Sequence, residues 1–145
     1  MHEVPATAFD ALLFDLGGVL LEIDFQRAFA AWGAAAGVRP LLARAMQRHP
    51  LYLFSNTSAV HRDHWLPRLG TLLEPFRGVY LSFEIGLRKP DLEAFAHVVR
   101  AIGVAPGRIA FFDDTEANVA GARRAGLQAF HVRSSAALAA ALGFS

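Results

Sequence analysis

Five short apolar runs, each ending on small or polar residues, do most to limit what this chain can fold into. Ala11-Leu12-Leu13-Phe14 ends at Asp15, Leu51-Tyr52-Leu53-Phe54 at Ser55, and Val79-Tyr80-Leu81 at Ser82. Ile109-Ala110-Phe111-Phe112 ends at Asp113-Asp114, and Leu127-Gln128-Ala129-Phe130-His131-Val132 ends near Arg133. Runs this short, apolar on both faces, read as buried strands of a parallel sheet. The stretches between them, at about 24–37, 40–48, 58–69, 90–102, 115–125 and 134–142, read as helices. Gly37, Gly70, Gly103 and Gly126 stand where such helices should stop, and Pro90 suits a helix start. Repeated strand–helix alternation predicts an α/β three-layer sandwich with a parallel, Rossmann-like sheet and right-handed crossovers. With 145 residues and no internal repeat or linker, residues 1–145 are expected to form a single domain.

Composition removes several function classes. A 54% hydrophobic share and a net charge of +1 exclude a disordered chain. The same near-neutral charge gives no strong field for nucleic acid or an anionic membrane, so neither is expected as a partner. No apolar run approaches the roughly 18–20 residues of a membrane span. The absence of cysteine excludes disulfides, thiolate metal sites and cysteine nucleophiles. Met1-His2-Glu3-Val4-Pro5 lacks the basic and apolar regions of a signal peptide, which makes a cytoplasmic location the expectation.

In open α/β sheets, sites form at the carboxyl ends of the strands. Here those ends carry Asp15, then Ser55-Asn56, then Lys89 in the loop after the third strand, then Asp113-Asp114. Lys89 is the only lysine, and Asn56 and Asn118 are the only asparagines. Asn118 lies four residues after Asp114, on the same face of the next helix. Carboxylates gathered this way repel one another unless a cation offsets them, and hard oxygen donors suit Mg²⁺. Asp15 and Asp114 are the candidate direct ligands. Lys89 supplies charge for a phosphate or for an aspartyl nucleophile. Ser55 and Asn56 offer a hydroxyl and an amide to phosphate oxygens. Gly17 and Gly18 allow backbone N–H groups to approach an anion closely. Taken singly, each acid could be a helix cap or a solvated loop residue, and Asp114 could merely cap the helix that follows.

Four segments then resemble a known family. Phe14-Asp15-Leu16-Gly17-Gly18-Val19-Leu20 resembles the first motif of the haloacid dehalogenase superfamily, and Leu53-Phe54-Ser55-Asn56-Thr57 its second. Gly86-Leu87-Arg88-Lys89-Pro90 resembles the third, and Phe111-Phe112-Asp113-Asp114-Thr115-Glu116-Ala117-Asn118 the fourth. The order is the family's. His61, Trp65-Leu66-Pro67 and Tyr80-Leu81-Ser82 are similar to its α-D-glucose-1-phosphate phosphatase subgroup. The resemblance implies strand order 5-4-1-2-3 and a Mg²⁺-dependent hydrolase of small phosphorylated substrates, sugar phosphates among them. Asp15 would attack phosphorus. Lys89, Ser55, Asn56 and the N–H groups of Leu16 and Gly17 would hold the phosphoryl oxygens. Asp15, the Gly17 carbonyl and Asp114 would ligate the metal, Asn118 would hold a water on it, and Asp113 would orient Lys89.

Two departures from the family pattern stand out. Most phosphatases of the superfamily carry an acid–base aspartate where this chain has Gly17, and losing such a group costs about 10²–10⁴-fold. Leaving groups that need little protonation, such as the anomeric oxygen of a sugar 1-phosphate, would suit that gap. Glu22, Asp24 and His61 are candidate proton carriers, each also readable as an ordinary surface or capping residue. The second departure is length: Ser55 follows Asp15 by only 40 residues. The subgroup's helical cap is expected to be missing after Val38-Arg39, with about 20–39 as its remnant. In the helix expected at 24–37, Phe25, Phe29 and Trp32 share a face, which suggests a homo-oligomer through it. Two rival readings stand: a cap-less domain that binds or oligomerises without turnover, and a haloacid dehalogenase. The Asp113-Asp114 pair favours a metal site and so speaks against dehalogenation.

Overall fold

The structure is a computed structural model, and it describes residues 8–17, 19–22, 33–34, 37–69 and 71–143. Five strands form one parallel sheet: β1 (Ala11–Phe14), β4 (Leu51–Ser55), β5 (Phe76–Leu81), β6 (Ile109–Asp113) and β7 (Gln128–His131). Their order is β5-β4-β1-β6-β7, the expected 5-4-1-2-3 order viewed from the other edge. A separate two-stranded ribbon pairs β2 (Leu21–Glu22) antiparallel with β3 (Gly33–Ala34). The helices are α1 (Val38–Met46), α2 (Ala59–Leu69), α3 (Ser82–Ile85), α4 (Leu92–Ile102), α5 (Glu116–Arg124) and α6 (Ser135–Ala141). None of them is long and apolar enough to cross a membrane.

Alternation along each strand builds two cores. Leu12 and Phe14 of β1 meet Leu41 and Leu42 of α1, Trp65 of α2 and Leu138 of α6 in one apolar cluster. Ala11 and Leu13 join Phe95 and Val98 of α4 and Val119 of α5 in the other. Burying a Leu or Phe side chain fully stabilises by about 1.5–3 kcal/mol, so both layers are held mainly by this contact. Phe14, Phe112 and Phe130 stack across β1, β6 and β7, with centroids 5.2 and 5.3 Å apart.

Two expectations need correction. Gly33–Ala34 is a strand rather than the end of a helix, because pairing with β2 overrides the weak helical preference of an alanine-rich stretch that contains glycine. Gly37 does not end a helix. It precedes α1 at φ +77°, a conformation that glycine adopts without steric penalty. The remainder of the helix expected at 24–37, including Phe25, Phe29 and Trp32, lies outside the described residues, and with it the homo-oligomer expectation. Gly70 also lies outside them. Gly103 does close α4, at φ +85°.

Candidate active site

Lys89 is the hub of the strand ends. Its ammonium is 1% exposed and makes three hydrogen bonds. It donates to Asp15 Oδ1 at 2.9 Å, to Asp113 Oδ2 at 2.8 Å and to the Phe54 carbonyl at 2.8 Å. An ammonium has three protons, so this set is complete. The Phe54 and Phe111 rings lie with centroids 5.3 and 5.4 Å from Nζ. Burial alone would lower the lysine's pKa. The charges of Asp15 and Asp113, together with their hydrogen bonds, outweigh it and hold the group above its usual range.

The loop that carries Lys89 is fixed from two sides. Asn56 donates from Nδ2 to the Lys89 carbonyl and accepts from the Lys89 N–H at Oδ1, both at 2.9 Å. Both ends of the amide are therefore engaged with the backbone of Lys89. On the other side Gly121 of α5 approaches so closely that an added Cβ would lie 2.5 Å from the Pro90 carbonyl oxygen. Thr57 is pinned by Ser82: its N–H donates to Ser82 Oγ at 2.9 Å, and that hydroxyl donates back to the Thr57 carbonyl at 3.0 Å.

The acidic residues differ in their surroundings. Asp113 is fully buried. Its Oδ2 accepts from Lys89 and, at 3.2 Å, from Asn118 Nδ2, while its Oδ1 accepts from the Thr115 N–H at 2.8 Å. Among the described residues, Asp15 has the single side-chain bond from Lys89 given above. Burial pushes its carboxyl up to about 7, Lys89 opposes the rise, and Asp113 and then Asp114 add to it. Asp114 is partly exposed. Thr115 is the N-cap of α5: its N–H donates to Asp113 Oδ1, and its hydroxyl donates to Asp114 Oδ1 at 3.4 Å. Carboxylate oxygens of Asp15, Asp113 and Asp114 all lie within 4.8 Å of one another.

These groups open into a cleft of about 430 Å³. Eight of the sequence-predicted site residues line it: Asp15, Leu16, Gly17, Ser55, Asn56, Lys89, Asp114 and Asn118. Asp113 lies beneath, reached through Lys89 and Asn118. The cleft also includes Thr57, His61, Trp65 and Arg88, of which only His61 was singled out as a candidate for chemistry. The spacing of His61 and Trp65, four apart on α2, is the signal that could have placed them on one wall.

The donor set fits a hard divalent cation. Three carboxylates gather beside one ammonium, which pairs with Asp15 and Asp113, so the cluster keeps negative charge that a cation would offset. Asp113 already accepts from Lys89, Thr115 and Asn118, so Asp15 and Asp114 are the carboxylates with more room for a cation.

Comparison with known proteins agrees with this geometry. The haloacid dehalogenase-like hydrolase profile matches residues 34–126, more than half of the chain. A sesquiterpene phosphatase of Aspergillus oryzae is 32% identical over 87 residues, which is 60% of this chain and 44% of that protein. The chain thus spans less than half the length of that relative. Among solved structures, a HAD family enzyme of Bacteroides thetaiotaomicron in complex with magnesium superposes with a TM-score of 0.79. It is 20% identical, over 88% of this chain and 95% of the other. An uncharacterized protein of Corynebacterium glutamicum gives a TM-score of 0.68 at 26% identity, over 94% and 97% of the two chains. On the sequence profile, the fold and the strand-end cluster together, the chain belongs to the haloacid dehalogenase-like hydrolases.

Proposed function

We propose that this chain is a Mg²⁺-dependent phosphomonoester hydrolase that works through an aspartyl-phosphate on Asp15. The observation that carries the proposal is the cluster of Asp15, Asp113 and Asp114, the first two paired with the Lys89 ammonium, at the floor of an open cleft. Support comes from the phosphatase activity named for the Aspergillus relative, and from the Bacteroides enzyme, crystallised with magnesium and inorganic phosphate.

Asp15, Asp114 and the Gly17 carbonyl would hold the ion. When bound, it offsets charge on the transferring phosphoryl group. An Asp15 oxygen forms the new bond to phosphorus while the bond to the leaving oxygen breaks. Lys89 holds the Asp15 carboxylate in place through Oδ1. Asp113 fixes Lys89, and Asn56 fixes the backbone that carries it. Ser55 and the N–H groups of Leu16 and Gly17 face the transferring oxygens. Water then attacks phosphorus and releases the Asp15 carboxylate.

The substrate is a small phosphate ester, with sugar phosphates as the first class to try. The ribbon of β2 and β3 falls between β1 and α1 in the chain. It fits a remnant of a cap insertion at about 20–39 on a single core domain. A site without a cap is open to water and selects poorly. Turnover of p-nitrophenyl phosphate with Mg²⁺ tests the proposal. Hydrolysis should require the metal, stop with EDTA and vanish in Asp15→Asn. Metal binding without turnover would instead support a binding domain.

A further inference from the structure

Covalent phosphoryl transfer needs a proton for the leaving oxygen, and Gly17 has no side chain to give one. We propose that His61 is the proton carrier of this site, an inference that rests on the phosphatase reading above. The cleft holds five titratable side chains among the described residues: Asp15, His61, Arg88, Lys89 and Asp114. Asp15 is the nucleophile and must be ionised to act. Asp114 faces the same oxygen cluster as a metal ligand. Lys89 has its three protons committed to Asp15, Asp113 and Phe54, and its charged form is favoured. A guanidinium such as Arg88 does not lose its proton in a protein. That leaves His61, and histidine is the side chain type suited to give and take protons near neutrality.

The local fold holds His61 toward the cleft. Ser58 Oγ accepts the His61 backbone N–H at 3.2 Å and so fixes the first turn of α2. Trp65, one turn on, is buried against the same cleft, and its Nε1 donates to Thr57 Oγ1 at 3.3 Å. The helix wall bearing the imidazole is thereby tied to the loop after β4. In the first step the Asp15 oxygen bonds to phosphorus, the phosphorus–oxygen bond to the alcohol breaks, and the imidazolium gives its proton to the departing alkoxide. In the second step the neutral imidazole takes a proton from water as that water attacks phosphorus, and the Asp15 carboxylate is released. The protein returns to its starting charge, with one alcohol and one phosphate formed.

The consequence is a wider leaving-group range than an unassisted site with Gly17 would allow. The test compares kcat/KM, which covers the steps up to release of the alcohol, on p-nitrophenyl phosphate and on an alkyl phosphate such as glycerol phosphate. p-Nitrophenolate departs without a proton, whereas an alkoxide does not. His61→Asn should lose about 10²–10⁴-fold on the alkyl ester and a clearly smaller factor on the aryl ester. Added imidazole should restore alkyl turnover in His61→Ala. Equal losses on both esters, or undiminished alkyl turnover, would overturn the role of His61 while leaving the phosphatase assignment intact. Absence of Mg²⁺-dependent hydrolysis of either ester by the unaltered chain would overturn both.

Discussion

Asp113 and Asp15 stand at the ends of neighbouring strands, β6 and β1, and share one ammonium, yet they are in opposite states. Asp113 is sealed from solvent and accepts from Lys89, Asn118 and the Thr115 N–H. Asp15 faces the cleft, leans on Lys89 alone among the described side chains, and is pushed toward its neutral form. The difference separates structure from chemistry. A saturated carboxylate orients its neighbours, whereas an under-satisfied one is poised to bind a cation or to form a new bond.

The largest effect should come from Asp15→Asn. Removing a covalent nucleophile costs on the order of 10⁵-fold or more in turnover. Yet the neutral amide oxygen can still accept from Lys89, and repulsion from Asp113 and Asp114 is relieved. Thermal unfolding at pH 8 without metal should therefore show an unchanged or higher midpoint for this variant. A large fall would break the contrast with Asp113.

Asp113→Asn should do the reverse. Its new NH₂ group would face the Lys89 ammonium or the Asn118 amide. Leaving a buried charge without its partner costs about 3–5 kcal/mol. Chemical denaturation should show that loss, and a stability change within error would contradict the structural role. Gly121→Ala comes next. The added methyl meets the Pro90 carbonyl at 2.5 Å, and overpacking of this kind costs about 1–3 kcal/mol. Because Pro90 follows Lys89, activity should fall with stability in this variant. Retained activity would show that the Lys89 loop tolerates the shift.

The pH dependence of stability sharpens the same contrast. The Asp15 carboxyl titrates near 7 in the fold, against an ordinary value of 3.8. A group raised in this way contributes stability that is fully present below about pH 4 and is lost as the pH rises through about 7. The metal-free protein should therefore lose stability between about pH 4 and 7 relative to Asp15→Asn, and Mg²⁺ should reduce the difference. Parallel pH profiles for the two would contradict the poised state of Asp15.

Much of this arrangement was legible in the sequence. Two-faced apolar runs mark buried parallel strands, and their carboxyl ends placed Asp15, Ser55, Lys89, Asp113, Asp114 and Asn118 in one neighbourhood. What escaped lacks a periodic signal. β2 and β3 have two residues each, and α3 has four. The stretch around Gly33 reads as helical on composition, and only pairing with Leu21–Glu22 decides otherwise. That the Asn56 amide grips the Lys89 backbone depends on a contact 33 residues apart, which no local pattern encodes.

The most direct measurement is the mass of the peptide containing Asp15 after substrate and Mg²⁺ are mixed with the protein and quenched in acid. One added phosphoryl group, absent with EDTA and absent in Asp15→Asn, is the predicted result. Turnover with no such adduct in the wild-type chain, or turnover that persists in Asp15→Asn, would contradict it.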